Sequence, residues 1–182
     1  MMRFFPLEIP GAFRIEVERR EDERGFLART FCVNEFGGQG LVTAFRQHSA
    51  SFNRHKGTLR GLHYQVDPHA EVKLVRCTAG AVFDVLVDLR RSSPTFGRWH
   101  GEVLSADNHV MLYIPAGCAH GFQALERATE LYYEITPGYV AEAARGVAYD
   151  DPAIGIEWPL PDAILSPADR SRPRLAEAET FA

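Results

Sequence analysis

Short runs of β-branched, aromatic and alternating apolar residues recur along this chain between turn signals, at residues 26–32, 42–52, 58–66, 72–77, 81–89, 99–104, 109–114, 121–125 and 129–136. The run at 72–77 closes on Thr78-Ala79-Gly80, and the run at 81–89 closes on Arg90-Arg91-Ser92-Ser93-Pro94. Strands this short and this evenly punctuated cannot build a doubly wound α/β sheet or a helical bundle. They predict an all-β fold, a β-sandwich or jelly-roll barrel. Helical signals are few. Residues 33–36 and 139–144 could each make one turn. Ser166-Pro167-Ala168-Asp169 reads as a helix start, with Ser as N-cap, Pro at the first helical position and Asp at the third.

Length and charge narrow the classes further. A chain of 182 residues predicts one domain, 1–182, and the polar segment at about 170–182 reads as peripheral. Hydrophobic residues at 46% and charged ones at 24% are ordinary for a globular core and argue against disorder. A net charge of −4 is too balanced for a nucleic-acid-binding surface. Cys32, Cys77 and Cys118 are odd in number and widely spaced, so they form neither a disulfide framework nor a C-x-x-C knuckle. The run at 81–89 is interrupted by Asp84 and Asp88 and is too short to span a bilayer. Met1-Met2-Arg3-Phe4-Phe5-Pro6 lacks the apolar run of a signal peptide. The expectation is a cytoplasmic protein with no membrane partner.

A β-barrel can hold a small ligand in its lumen, so the informative residues are polar ones that alternation sends inward. At 72–77, Lys73 shares a face with Val75 and Cys77. At 129–136, Tyr133 shares a face with Leu131 and Ile135, while Glu130, Tyr132 and Glu134 should face water. In Arg60-Gly61-Leu62-His63, strict alternation sends Arg60 and His63 to opposite faces. A bulge at Gly61 would bring both to one pocket.

Each of these groups has two readings. His63 is a satisfied structural histidine or a proton acceptor near neutral pH. Lys73 snorkels to the rim, or it faces an anionic oxygen in the lumen. Asp169 is a helix N-terminal carboxylate, or it orients a histidine. Arg24, at the turn in Asp22-Glu23-Arg24-Gly25-Phe26, is solvated or offers its N–H fork to a phosphate. Pro115-Ala116-Gly117-Cys118-Ala119-His120 has the Pro-x-Gly-x-x-His pattern of cupins, whose histidine often binds metal. The usual His-x-His pair is missing, because His63 is followed by Tyr64 and Gln65. A metal-dependent cupin oxygenase or isomerase would have to recruit His63, Glu71 and His120.

Seven segments in order carry a resemblance: Asp22–Phe26, Leu59-Arg60-Gly61-Leu62-His63, Lys73-Leu74-Val75-Arg76-Cys77, Gly80-Ala81-Val82-Phe83-Asp84-Val85, Ser93-Pro94-Thr95-Phe96-Gly97, Ile114–Phe122 and Ile154-Gly155-Ile156-Glu157-Trp158-Pro159. Together they resemble the dTDP-4-dehydrorhamnose 3,5-epimerase family over roughly residues 3–175. The resemblance implies a cupin jelly roll without metal or cofactor. It also implies a homodimer with exchanged N-terminal strands and a nucleotide-linked 4-keto-6-deoxyhexose as substrate. By the same resemblance, His63 is the base beside the ketone, Asp169 its partner and Tyr133 the acid on the opposite face. Lys73 lies near the C4 oxygen, and Arg24, Gln47, Arg60 and His120 bind substrate.

The chemistry agrees with those residue types. A C–H next to a ketone is acidic only when the enolate is stabilised, so a base and a cation are both required. Inversion adds an acid on the other face. Four positions depart from the family pattern: Arg29 stands for a glutamate, Ser49 for an asparagine, Ala144 for a glutamate and Ala168 for a lysine. These changes leave open inversion at one carbon only, a 3- or 5-monoepimerase of another deoxysugar pathway. They also leave open which nucleotide and sugar are used.

Overall fold

The computed structural model describes residues 1–182. The strands are β1 (Met2–Pro6), β2 (Phe13–Val17), β3 (Arg19–Asp22), β4 (Gly25–Ala28), β5 (Gln47–Asn53), β6 (Leu59–Gln65), β7 (Val72–Ala79), β8 (Ala81–Asp88), β9 (Trp99–Ser105), β10 (Met111–Ile114), β11 (Cys118–Ala124), β12 (Thr129–Thr136) and β13 (Ala144–Gly146). Two short helices, α1 (Val33–Gly37) and α2 (Pro167–Arg170), and a 3-10 turn at Ala141–Ala143 complete the set. No helix is long and apolar enough to cross a membrane.

The strands form two antiparallel sheets. One has six strands in the order β1-β2-β10-β7-β12-β5, and the other five in the order β13-β6-β11-β8-β9. The core between them draws on both: Val75, Cys77, Leu112, Ile114 and Leu131 from the first meet Val82, Leu86, Leu104, Cys118 and Phe122 from the second. This is the cupin-like jelly roll that the spacing of short strands calls for. Ile15, Leu74, Met111 and Tyr113 turn to the outer face of the six-stranded sheet, where Phe36 of α1 covers them.

The chain differs from the sequence reading in five places. Residues 1–22 supply three strands that the sequence reading left out, of which only Phe13–Val17 alternates apolar and charged residues. The run at 26–32 is strand only to Ala28, and the run at 42–52 starts its strand at Gln47. The outer side of β12 is not simply solvated: Arg76 stacks over Tyr132 at 5.0 Å, and the Tyr132 hydroxyl lies 2.7 Å from His48 Nδ1. The C-terminal segment is not peripheral. Leu175, Ala178 and Phe181 are buried against Leu62, Tyr64, Val85 and Val87 on the outer face of the five-stranded sheet. The Tyr64 hydroxyl donates to the Glu179 carbonyl at 2.6 Å. Three apolar residues spaced three apart close that face, although the segment around them is polar.

Candidate active site

The site starts with a backbone irregularity. β6 pairs with β11 so that His63 faces His120 and Arg60 faces Phe122. Three steps on β6 match two on β11, so β6 carries one extra residue, a bulge at Gly61 and Leu62. Gly61 has φ +127°, and a Cβ there would lie 2.5 Å from the Cα of Gly121. Only glycine fits this close approach of two strands. The bulge turns both Arg60 and His63 into a cavity of about 640 Å³ and leaves Leu62 and Tyr64 in the core on the other face.

His63 is held by the C-terminal helix. Its Nε2 lies 2.5 Å from Asp169 Oδ1, 106 residues away in sequence. Ser166 caps α2, accepting the Asp169 N–H at 3.1 Å, which fixes where the carboxylate points. Capping and histidine orientation are therefore both true of this segment. Burial opposes the charge on Asp169, but the His63 hydrogen bond and charge, with smaller help from Ser166 and Arg172, hold its carboxyl below the usual range. An ionised carboxylate only accepts, so Nε2 carries the proton and Nδ1 is left as the basic nitrogen.

The facing wall comes from the other sheet. Lys73 on β7, Tyr133 on β12 and Gln47 on β5 line the same cavity. Lys73 does not snorkel. It is 5% exposed, pairs with Glu71 at 2.9 Å and donates to the His63 carbonyl at 3.2 Å. An ammonium has three donors, so one remains for a ligand. Gln47 accepts the Tyr139 N–H at 3.1 Å and so ties the 137–140 loop to the cavity mouth. Arg60 donates to Asn53 Oδ1 at 2.9 Å.

His120 lies on β11 with its Nε2 2.9 Å from Asp84 Oδ2, and both side chains are buried. No three His, Cys, Asp or Glu side chains are grouped where they could hold one metal ion. His63 is engaged by Asp169, His120 by Asp84, and Glu71 by Lys73 and Gln65. Arg24 is the one proposed substrate contact outside the cavity. It sits at the tip of the β3–β4 ribbon, largely exposed and paired with Asp22 at 2.6 Å. Sequence reasoning missed Asp84, Tyr139, Arg145 and Arg172. Asp84 had a signal, a carboxylate inside the most apolar run. The two arginines had none: Arg145 is brought in by the three-residue pairing of β13 with β6, and Arg172 by the segment that follows α2.

The sequence model of the family "dTDP-4-dehydrorhamnose 3,5-epimerase" matches residues 6–177. The chain belongs to this family. A dTDP-4-dehydrorhamnose 3,5-epimerase of Sinorhizobium fredii is 43% identical over 177 residues, 97% of this chain and 91% of that one. The crystal structure of the 3,5-epimerase from Bacillus anthracis, solved with TDP and PPi bound, superimposes with a TM-score of 0.93 at 38% identity. It covers 96% of this chain and 99% of that one. A dTDP-4-dehydrorhamnose 3-epimerase of Streptomyces niveus is 38% identical over 97% of this chain and 86% of its own.

The departures from the epimerase family pattern now have places. Ser49 pairs opposite Tyr133 on β5, with its hydroxyl 3.5 Å from Gln47 Nε2. Ala144 lines the cavity, and Ala168 is exposed on α2. Arg29 lies outside the cavity, paired with Glu35 at 2.9 Å.

Proposed function

We propose that this protein inverts C3, C5 or both in a nucleotide-linked 4-keto-6-deoxyhexose. One observation carries the reading: His63 and Tyr133 line a single cavity from opposite sheets. A flat hexose ring between the sheets presents one face to the imidazole and the other to the phenol.

His63 takes the proton from the carbon next to the ketone through Nδ1, and Asp169 stabilises the imidazolium that forms. The electron pair left by the C–H bond moves into the enolate, placing charge on the C4 oxygen. Lys73, desolvated and with one donor free, stabilises that oxygen. The Tyr133 O–H then gives its proton to the same carbon from the far side, and solvent restores both residues. No electron leaves the sugar, so the step balances on protons alone. Arg60, Gln47 and His120 bind the substrate around the ring. Tyr139, 59% exposed at the mouth, is a platform on which a nucleobase can stack. The relatives' names support a dTDP-linked sugar.

The working form in this reading is a cytoplasmic homodimer with exchanged N-terminal strands. β1 pairs with β2 of its own chain, so the segment free to reach a second copy is the β3–β4 ribbon. It pairs with neither sheet and exposes Phe26 and Leu27. Arg24 at its tip would enter the partner's cavity, which accounts for its distance from its own.

The test is proton NMR of dTDP-4-keto-6-deoxyglucose incubated with the protein in D₂O. Deuterium at C3 and C5 with the rhamno configuration is the expected result. Label and inversion at one carbon alone identify a monoepimerase, the activity of the Streptomyces niveus relative. A ketone returned unlabelled rejects the reading.

A further inference from the structure

The cavity wall beside the dyad holds a guanidinium that donates no hydrogen bond to the protein. Arg172 lies there with His63, Arg145 and Ala144. Its side chain is 30% exposed, and its stem crosses directly over Gly146. A Cβ on Gly146 would come within 2.6 Å of Arg172 Nε and 2.7 Å of its Cδ, and within 2.8 Å of the Leu62 carbonyl. Strand β13 thus leaves a gap that this stem fills.

The guanidinium is unpaid for these contacts. Its Nε is buried and makes no hydrogen bond. The neighbouring carboxylate oxygen, Asp169 Oδ1, is 4.0 Å away and already engaged by His63 at 2.5 Å. The other arginines of the cavity differ. Arg145 donates to Glu179 and to the carbonyls of Glu142 and Ala144. Arg60 donates to Asn53 and Phe52. Buried donors without partners are rare and cost stability, and the rest of the fork, on a side chain 30% exposed at the cavity wall, is open to a ligand. A planar fork of five donors fits the paired oxygens of a phosphate better than it fits a neutral sugar hydroxyl.

We propose that Arg172 is the phosphate anchor of the cavity, binding the diphosphate of the nucleotide-linked substrate through its guanidinium fork. The diphosphate rests on the epimerase reading above. The anchor itself rests on the unbonded guanidinium and the gap at Gly146. Arg172 binds in ground and transition state alike, so its removal should weaken binding and spare the chemistry.

The experiment pairs calorimetry of dTDP and of thymidine with steady-state kinetics on the keto-sugar, for the full chain and Arg172→Gln. Loss of a charged hydrogen-bonding pair should raise the dTDP Kd and the KM by about tenfold or more. The kcat at its plateau should change far less than the KM, the acid limb moving only slightly as Asp169 loses the minor help of the Arg172 charge, and thymidine should bind both proteins equally. If Arg172→Gln does not fold, judged by its thermal transition, Arg172→Lys carries the test. It keeps the charge and loses the fork, so its dTDP Kd should be several-fold weaker than wild type. Equal dTDP affinity in the variant overturns the proposal. So does a fall in kcat with a shifted acid limb and an unchanged KM, which would mean that Arg172 acts through Asp169. Wild-type protein that binds dTDP through Arg172 but labels no keto-sugar leaves the anchor standing and removes the epimerase reading. Wild-type protein that binds no dTDP removes both.

Discussion

Asp169 keeps its charge in a buried position because His63 is there to share it. The two groups therefore stand or fall together. Asp169→Asn cannot accept the Nε2 proton in the same way, and the imidazolium formed during proton transfer loses its counter-charge. The expected fall in kcat is about 10²–10⁴-fold, read in a steady-state assay. The same pair has a stability signature. The folded carboxyl titrates below its unfolded value, so its contribution is complete above the ordinary carboxylate range. It is lost as pH falls through the depressed folded value. Urea midpoints measured from pH 6 to pH 3 should fall less in Asp169→Asn than in wild type. At this scale the sequence was readable where alternation applies. Lys73 and Tyr133 point inward because Val75, Cys77, Leu131 and Ile135 on the same faces are apolar. It was unreadable for Arg172 and Arg145, because the cavity wall they join, with His63 and Lys73, is distant in sequence.

The elements add what single residues cannot. The bulge in β6 aims Arg60 and His63 into one cavity, and it exists because Gly61 tolerates φ +127° against Gly121. Gly61→Ala places a methyl group where the Gly121 Cα lies 2.5 Å away. This substitution should destabilise the fold by more than about 1 kcal/mol and lower activity further, by moving His63. Urea unfolding and turnover measured on the same sample check both. An ordinary strand at 59–65, stable with alanine at 61, would remove the reason His63 points inward. The Gly61 bulge and the Ser166 cap could be read from the sequence because each follows a local backbone rule. Strand β3 could not. Arg19–Asp22 has no apolar alternation and is fixed by pairing with β4 alone. The C-terminal segment misled for a different reason, since Leu175, Ala178 and Phe181 gain their meaning only from the sheet beneath them.

For the whole molecule, two sheets supply the two sides of the cavity and, in the proposed mechanism, of the reaction. The six-stranded sheet brings Lys73 and Tyr133, and the five-stranded sheet brings Arg60, His63 and His120. The β3–β4 ribbon stands apart from both, and a two-stranded ribbon is marginal on its own. A dimer that buries Phe26 and Leu27 removes the problem. Light scattering should give twice the 20.4 kDa chain mass, and Leu27→Glu should shift it toward one chain while weakening substrate binding.

The central claim is that an imidazole and a phenol act on opposite faces of one ring, and isotope exchange separates them. Deuterium uptake into the keto-sugar in D₂O should vanish in His63→Ala. In Tyr133→Phe it should persist while inversion is lost, because His63 can return deuterium to the face it deprotonated. Uptake that survives His63→Ala, or that disappears equally in both variants, would contradict the account.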